Sequence, residues 1–100
     1  AFQALPDVEL VAEPPGCHSN HWLVSLRFLA EDPAEAEAQR LQVLEAAHAE
    51  GLLLRPVWKL LSQLPMYSQE PQGELAIATD QAARLLNLPS SPQLVQGWKR

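Results

Sequence analysis

Positive charge is scarce in this sequence. Seven Lys and Arg face twelve Asp and Glu in 100 residues, for a net charge of −5. The seven are dispersed as Arg27, Arg40, Arg55, Lys59, Arg84, Lys99 and Arg100. A nucleic-acid binder concentrates basic residues on one face, and an anionic membrane surface asks for the same, so both are excluded as partners. Cysteine occurs once, at Cys17, so no internal disulfide can form and a reducing, cytoplasmic setting is expected. No apolar run approaches the ~18–20 residues of a membrane span. The first residues, Ala1-Phe2-Gln3-Ala4-Leu5-Pro6-Asp7, lack the basic and apolar regions of a secretion signal. They also lack an initiator Met, so the chain is expected to begin inside a longer one or after a cleavage. Glycine is limited to four residues, and neither a glycine-rich phosphate loop nor a Gly-x-Ser-x-Gly elbow is present.

What remains is a globular composition, 47% hydrophobic and 19% charged, of a length that suits one domain spanning 1–100. Val8-Glu9-Leu10-Val11-Ala12 alternates after a Pro-Asp turn and reads as a short strand ended by Pro14-Pro15. His21 to Leu29 is the longest strand candidate, with Trp22, Val24, Leu26 and Phe28 on one face. A helix over 33–50 follows from Asp32 as N-cap, Pro33 at the first position and Glu35 three residues after the cap. Its expected buried stripe is Ala34, Ala38, Leu41, Leu44 and His48, and Gly51 stands where a glycine terminates a helix. Leu52 to Trp58 reads as a strand returning over that helix, with Pro56 marking an edge. Residues 59–73 read as a loop with one helical turn near Leu60–Gln63. A second helix over 76–85 and a last strand over 86–89 complete the order, and Ser91-Pro92 reads as a further helix start. The expected fold is α+β. It is a two-layer domain with a short, mostly antiparallel sheet of 3–4 strands under two main helices, and tight crossovers leave room for a parallel pair.

Chemistry-bearing residues are few. Cys17, His18 and His21 have partial metal-ligand spacing, but a fourth ligand and a second paired motif are missing, so loop residues are the preferred reading. His48 reads as a packed, hydrogen-bonded histidine at the helix edge. Lys59 reads as an exposed strand-end lysine, since an amine that forms a Schiff base needs desolvation. The segment Arg55-Pro56-Val57-Trp58-Lys59, continued by Leu64-Pro65-Met66-Tyr67, admits two readings. An Arg at a strand end suits a planar anion such as carboxylate or phosphate, and loops of this kind carry sites. Alternatively, a Trp-Pro corner packs while Arg55 caps a neighbouring helix.

The ordered set Ser19-Asn20-His21-Trp22-Leu23, the capped helix, Gly51, Arg55-Pro56-Val57-Trp58, Leu64-Pro65-Met66-Tyr67 and Leu86-Asn87-Leu88-Pro89-Ser90-Ser91-Pro92 resembles a known pattern. It is similar to the C-terminal small domain of DegT/DnrJ/EryC1/StrS aminotransferases, in the branch that aminates a 4-keto nucleotide sugar for legionaminic-acid-type sugars. The resemblance covers about residues 8–92. It implies a parent enzyme that uses pyridoxal phosphate, takes nitrogen from glutamate and acts as a homodimer. The cofactor lysine, the aspartate on the pyridine nitrogen and the phosphate cradle would lie in a large domain, on which this one packs. This chain would be inactive alone and would supply a wall of the substrate cleft through Arg55, Trp58, Met66 and Tyr67, with Arg55 as the recognition residue and Trp58 as the packing one. Ser62 stands where the family pattern often has histidine, so no sugar contact is carried to it. The rival reading is a free-standing acidic interaction module, and a small thiol- or metal-dependent enzyme built on Cys17, His18 and His21 ranks third.

Overall fold

The computed structural model describes residues 4–91. The elements are β1 (Val8–Leu10), β2 (Val24–Phe28), α1 (Pro33–Ala49), β3 (Arg55–Pro56), α2 (Ala76–Arg84) and β4 (Leu85–Leu88). Two 3₁₀ turns, Leu61–Gln63 and Pro65–Tyr67, lie between β3 and α2. The sheet runs β1-β2-β4-β3 and every pairing is antiparallel, so no parallel pair forms. The result is the small α+β domain expected, with a four-stranded open sheet and two helices. The helix start at Ser91-Pro92, and Lys99, lie outside the described residues.

Helix α1 begins as its sequence dictates. Asp32 Oδ1 accepts from Ala34 N at 3.1 Å, and Pro33 occupies the first position. Glu35 adds negative charge in the first turn, where the helix dipole favours it. At the other end Gly51 adopts φ 81°, and Leu52 N donates to Ala47 O at 2.8 Å. A side chain at that φ would be strained, which accounts for the glycine. The buried stripe differs from the one expected. Ala36 and Arg40 are buried and Leu44 and Ala47 half-buried, whereas Ala34, Ala38, Leu41 and His48 are exposed. Alanines occur on almost every face of this helix, so spacing alone does not identify the inner one. The packing of α2 decides it: Arg40, only 7% exposed, donates through Nη1 to Ala82 O.

The strands are shorter than their apolar runs. β2 starts at Val24 because polar side chains turn the preceding backbone. Ser19 Oγ accepts from His21 N and Asn20 Oδ1 from Trp22 N, each at 3.0 Å, and His21 takes φ 53°. Trp22 therefore leaves the expected core face and is 66% exposed. β1 stops at Leu10, although Val11 N still donates to Ser25 O at 2.9 Å. The run from Leu52 to Trp58 contributes only Arg55–Pro56 to the sheet. Leu52 remains tied to the helix end, Leu54 N donates to Leu52 O at 3.1 Å, and Pro56 has no N–H to extend the ladder. Trp58, expected to pack, is 86% exposed.

Cross-strand pairs decide which face holds the core. Val8, Leu26, Phe28, Leu86 and Leu88 fall on one face by register, opposite each other across the ladder. Phe28, Leu54 and Leu86 pack with Ala36 as the core cluster, joined by the partly buried Leu44 and Ala47. The other face carries Glu9, Ser25, Arg27, Asn87 and Arg55 by the same alternation. There Arg27 pairs with Glu9.

Arg84 closes the domain at the end of α2. Its Nε donates to Asp80 at 3.0 Å one helical turn earlier. Its two terminal nitrogens donate to the carbonyls of Phe28 at 3.2 Å and Glu31 at 3.1 Å, and also to that of Ala30. Three carbonyls, one at the end of β2 and two in the connection to α1, thus obtain a donor from one side chain.

Replacement of Leu86, which has no exposed surface, by alanine is expected to cost ~2–5 kcal/mol in denaturant unfolding. Trp58→Ala is expected to stay within ~0.5 kcal/mol of the parent. Arg84→Met removes the donor to three carbonyls and is expected to cost about 1–3 kcal/mol, which scanning calorimetry would register as a lowered Tm.

Candidate functional site

The short β3 and the bends around it leave a hollow beside the sheet edge. The hollow has a volume of about 800 Å³ and is half open. Trp22 and Leu23 bound it on the β2 side, Leu53 to Trp58 on the β3 side, and Asn87 to Ser91 line it from β4 onward. Arg55, Pro56, Asn87 and Leu88 come from strands, His48 from α1, and the other lining residues from connections.

Arg55 and Trp58 both line this hollow. Tyr67 does not reach it. It lines a second hollow of about 410 Å³ with Leu61, Ser62, Glu70 and Gly73. Met66 is 68% exposed and lines neither. The four residues expected to act together are therefore divided: the 3₁₀ turns carry Met66 and Tyr67 away from the strand end that carries Arg55.

The Arg55 guanidinium has no ion pair or hydrogen bond among the described residues. The helix-capping role that sequence left open for Arg55 is not taken up: α1 is capped by the Asp32 side chain at its start and by the Glu50 N–H at its end. Arg55 stands opposite Asn87 in the β3–β4 register, and Asn87 stands opposite Ser25 in β2–β4. Side chains paired in this way emerge about 4.5–5.5 Å apart at Cβ on a common face. Ser25 Oγ donates to Asn87 Oδ1 at 2.7 Å. Sequence reading passed over Asn87 and Ser25. The signal was present in Leu85-Leu86-Asn87-Leu88, where one amide interrupts an apolar strand.

His48 also borders the hollow, and its Nε2 donates to Leu54 O at 2.9 Å. A carbonyl only accepts, so Nε2 carries a proton. The bond anchors the turn after α1, so the hydrogen bond expected of this histidine forms although the residue is exposed and not packed. Lys59 is exposed and lines neither hollow. Cys17, His18 and His21 are exposed in the loop before β2. That loop is held by Ser19 N donating to Glu13 Oε2 at 2.6 Å and Cys17 N to Pro14 O at 3.1 Å. Among the described residues no three His, Cys, Asp or Glu side chains converge on a point that would hold a metal ion. Among them, too, no helix is long and apolar enough to cross a membrane.

No family model, curated protein or solved structure matches this chain.

The exposure of Cys17 has a direct consequence. Iodoacetamide should label the folded protein at Cys17 as fast as it labels the urea-unfolded chain, with no change in circular dichroism. Labelling that is much slower in the folded state would contradict the loop geometry.

Proposed function

We propose that this chain is the C-terminal small domain of a pyridoxal-phosphate-dependent aminotransferase of the DegT/DnrJ/EryC1/StrS type. Its substrate is a 4-keto nucleotide sugar and its amino donor glutamate. The ordered motifs support this reading, as does the α+β architecture in which they sit. The observation that carries it is Arg55, unpaired among the described residues, in a half-open hollow beside Trp58. A guanidinium left without a partner next to a broad aromatic surface suits recognition of an anionic, ring-bearing ligand.

The residues of this chain do not fit pyridoxal phosphate itself. Lys59 is exposed and lines neither hollow, so no desolvated amine is on offer for an aldehyde among the described residues. In this reading the cofactor belongs to a large domain, and the present domain supplies binding and orientation. Arg55 holds the substrate by charge, Trp58 screens it from water, and Tyr67 and Met66 face the large domain or the second protomer of a homodimer. The domain is inactive alone, sits in the cytoplasm, and binds neither nucleic acid nor membrane.

A second reading has its own observation. Trp22, Leu53, Trp58, Leu61, Met66 and Ile77 are all exposed, and Trp22, Leu53 and Trp58 line the same hollow. Such surface marks interaction sites, and it suits an acidic interaction module as well as a domain that packs on a larger one.

Amino transfer from glutamate to a 4-keto nucleotide sugar, measured on the full-length protein, separates the two. Arg55→Ala should lower kcat/KM about ten- to a hundredfold, the worth of one charge-assisted contact, with Tm unchanged. Absence of transfer by the unmodified protein, or an unaltered kcat/KM in the variant, would overturn the aminotransferase reading.

A further inference from the structure

The hollow is free of acid in an acidic protein. Twelve Asp and Glu give the chain its net charge of −5, yet none of the described residues lining the hollow is an Asp or Glu. Its ionisable side chains are Arg55 and His48, and His48 is already engaged with Leu54 O. The polar groups that remain are those of Arg55, Asn87, Ser90 and Ser91.

Asn87 is directional. Its Oδ1 accepts the Ser25 hydroxyl at 2.7 Å on the β2 side. The planar amide then turns Nδ2 away from Ser25, toward the β3 side, where Arg55 is its cross-strand neighbour. Neither Nδ2 nor the Arg55 guanidinium meets an acceptor among the described residues. Two adjacent strands thus present N–H donors side by side, and no Asp or Glu among the described residues lines the hollow with them.

We infer that Arg55 and Asn87 form an oxyanion-binding site, in which Ser25 is the positioning residue that keeps the Asn87 amide donor-side out. The ligand class is a phosphate or carboxylate group on a molecule whose body lies between Trp22 and Trp58. The inference rests on the cleft-wall reading for its biological setting, and it adds to that reading a specific reader, Asn87, of the charged end of the ligand. Arg55 supplies charge and a fork of donors, and Asn87 supplies a neutral donor of fixed direction. A carboxylate at position 87 would still accept from Ser25 but would turn a negative oxygen toward the ligand.

The test is isothermal titration of the whole protein with inorganic pyrophosphate and, separately, with glutarate. At least one should bind, more weakly as salt is raised. Arg55→Gln and Asn87→Asp should each weaken that binding about ten- to a hundredfold, as expected for a charge-assisted contact. Ser25→Ala should weaken it less than Asn87→Asp does, and Lys59→Ala should leave it unchanged. A response to pyrophosphate alone assigns the site to a phosphate, and a response to glutarate alone assigns it to a carboxylate. Arg55→Gln lies at an exposed strand edge and tests the site even where Asn87→Asp fails to fold. Binding that is unaltered in Arg55→Gln and Asn87→Asp, or no binding of either anion, overturns the inference. Amino transfer with an unchanged KM in Asn87→Asp would defeat this site and spare the aminotransferase reading. Anion binding lost in the variants, with no amino transfer by the parent, would do the reverse.

Discussion

The burial of Leu86 is the constraint on which the rest depends. It sits in the central pairing of the sheet, opposite Leu26, and joins Phe28, Leu54 and Ala36 in the core. Strand side chains alternate, so holding Leu86 inward holds Asn87 outward. Once Asn87 is outward, its register partners Ser25 and Arg55 are outward too. The polar row of the candidate site is the reverse side of the hydrophobic core. Its geometry is set by apolar packing and involves no polar interaction until Ser25 orients the amide.

So small a core leaves much of the holding to arginine. Arg40 reaches from α1 to the last turn of α2, and Arg84 reaches from α2 back to the chain entering α1. Each places a charged donor on backbone carbonyls, and bonds of this kind exceed neutral ones in strength. Arg84 is further held by Asp80 one turn away. With Arg27, which pairs with Glu9 and donates to Gln81 of α2, three of the seven basic residues are committed to the fold, while Arg55 is left for other use.

How far the sequence revealed this depended on whether local chemistry or packing was in control. Asp32-Pro33 and Gly51 act through their own backbone geometry, and the limits of α1 followed from them. The inner face of α1 did not, because alanines at many positions make the helix ambiguous until α2 selects a side. Trp22 and Trp58 misled for a related reason. Large aromatics suggest core, but Ser19 and Asn20 turn the chain at Trp22, and Pro56 with the bond from Leu52 to the helix end cuts β3 short of Trp58. The hollow was legible only in part. Arg55 and Trp58 share a short stretch of sequence and stayed together, whereas Tyr67 was separated from them by two 3₁₀ turns. Asn87 and Ser25 lie 62 residues apart in sequence, and only sheet register unites them.

The junction between α2 and β4 contains no loop: Arg84 ends the helix and Leu85 begins the strand. Two periodicities of different length are therefore locked in phase at one peptide bond. A connection of several residues would absorb an inserted or deleted amino acid, but this one has no slack. One additional residue there would slide β4 by a single step and exchange its faces, placing an amide in the core and a leucine at the hollow. Point substitutions along this stretch test individual contacts, whereas a change in chain length tests the phase relation itself. The seam at Arg84–Leu85 is thus the place where the domain tolerates change of residue type far better than change of residue number.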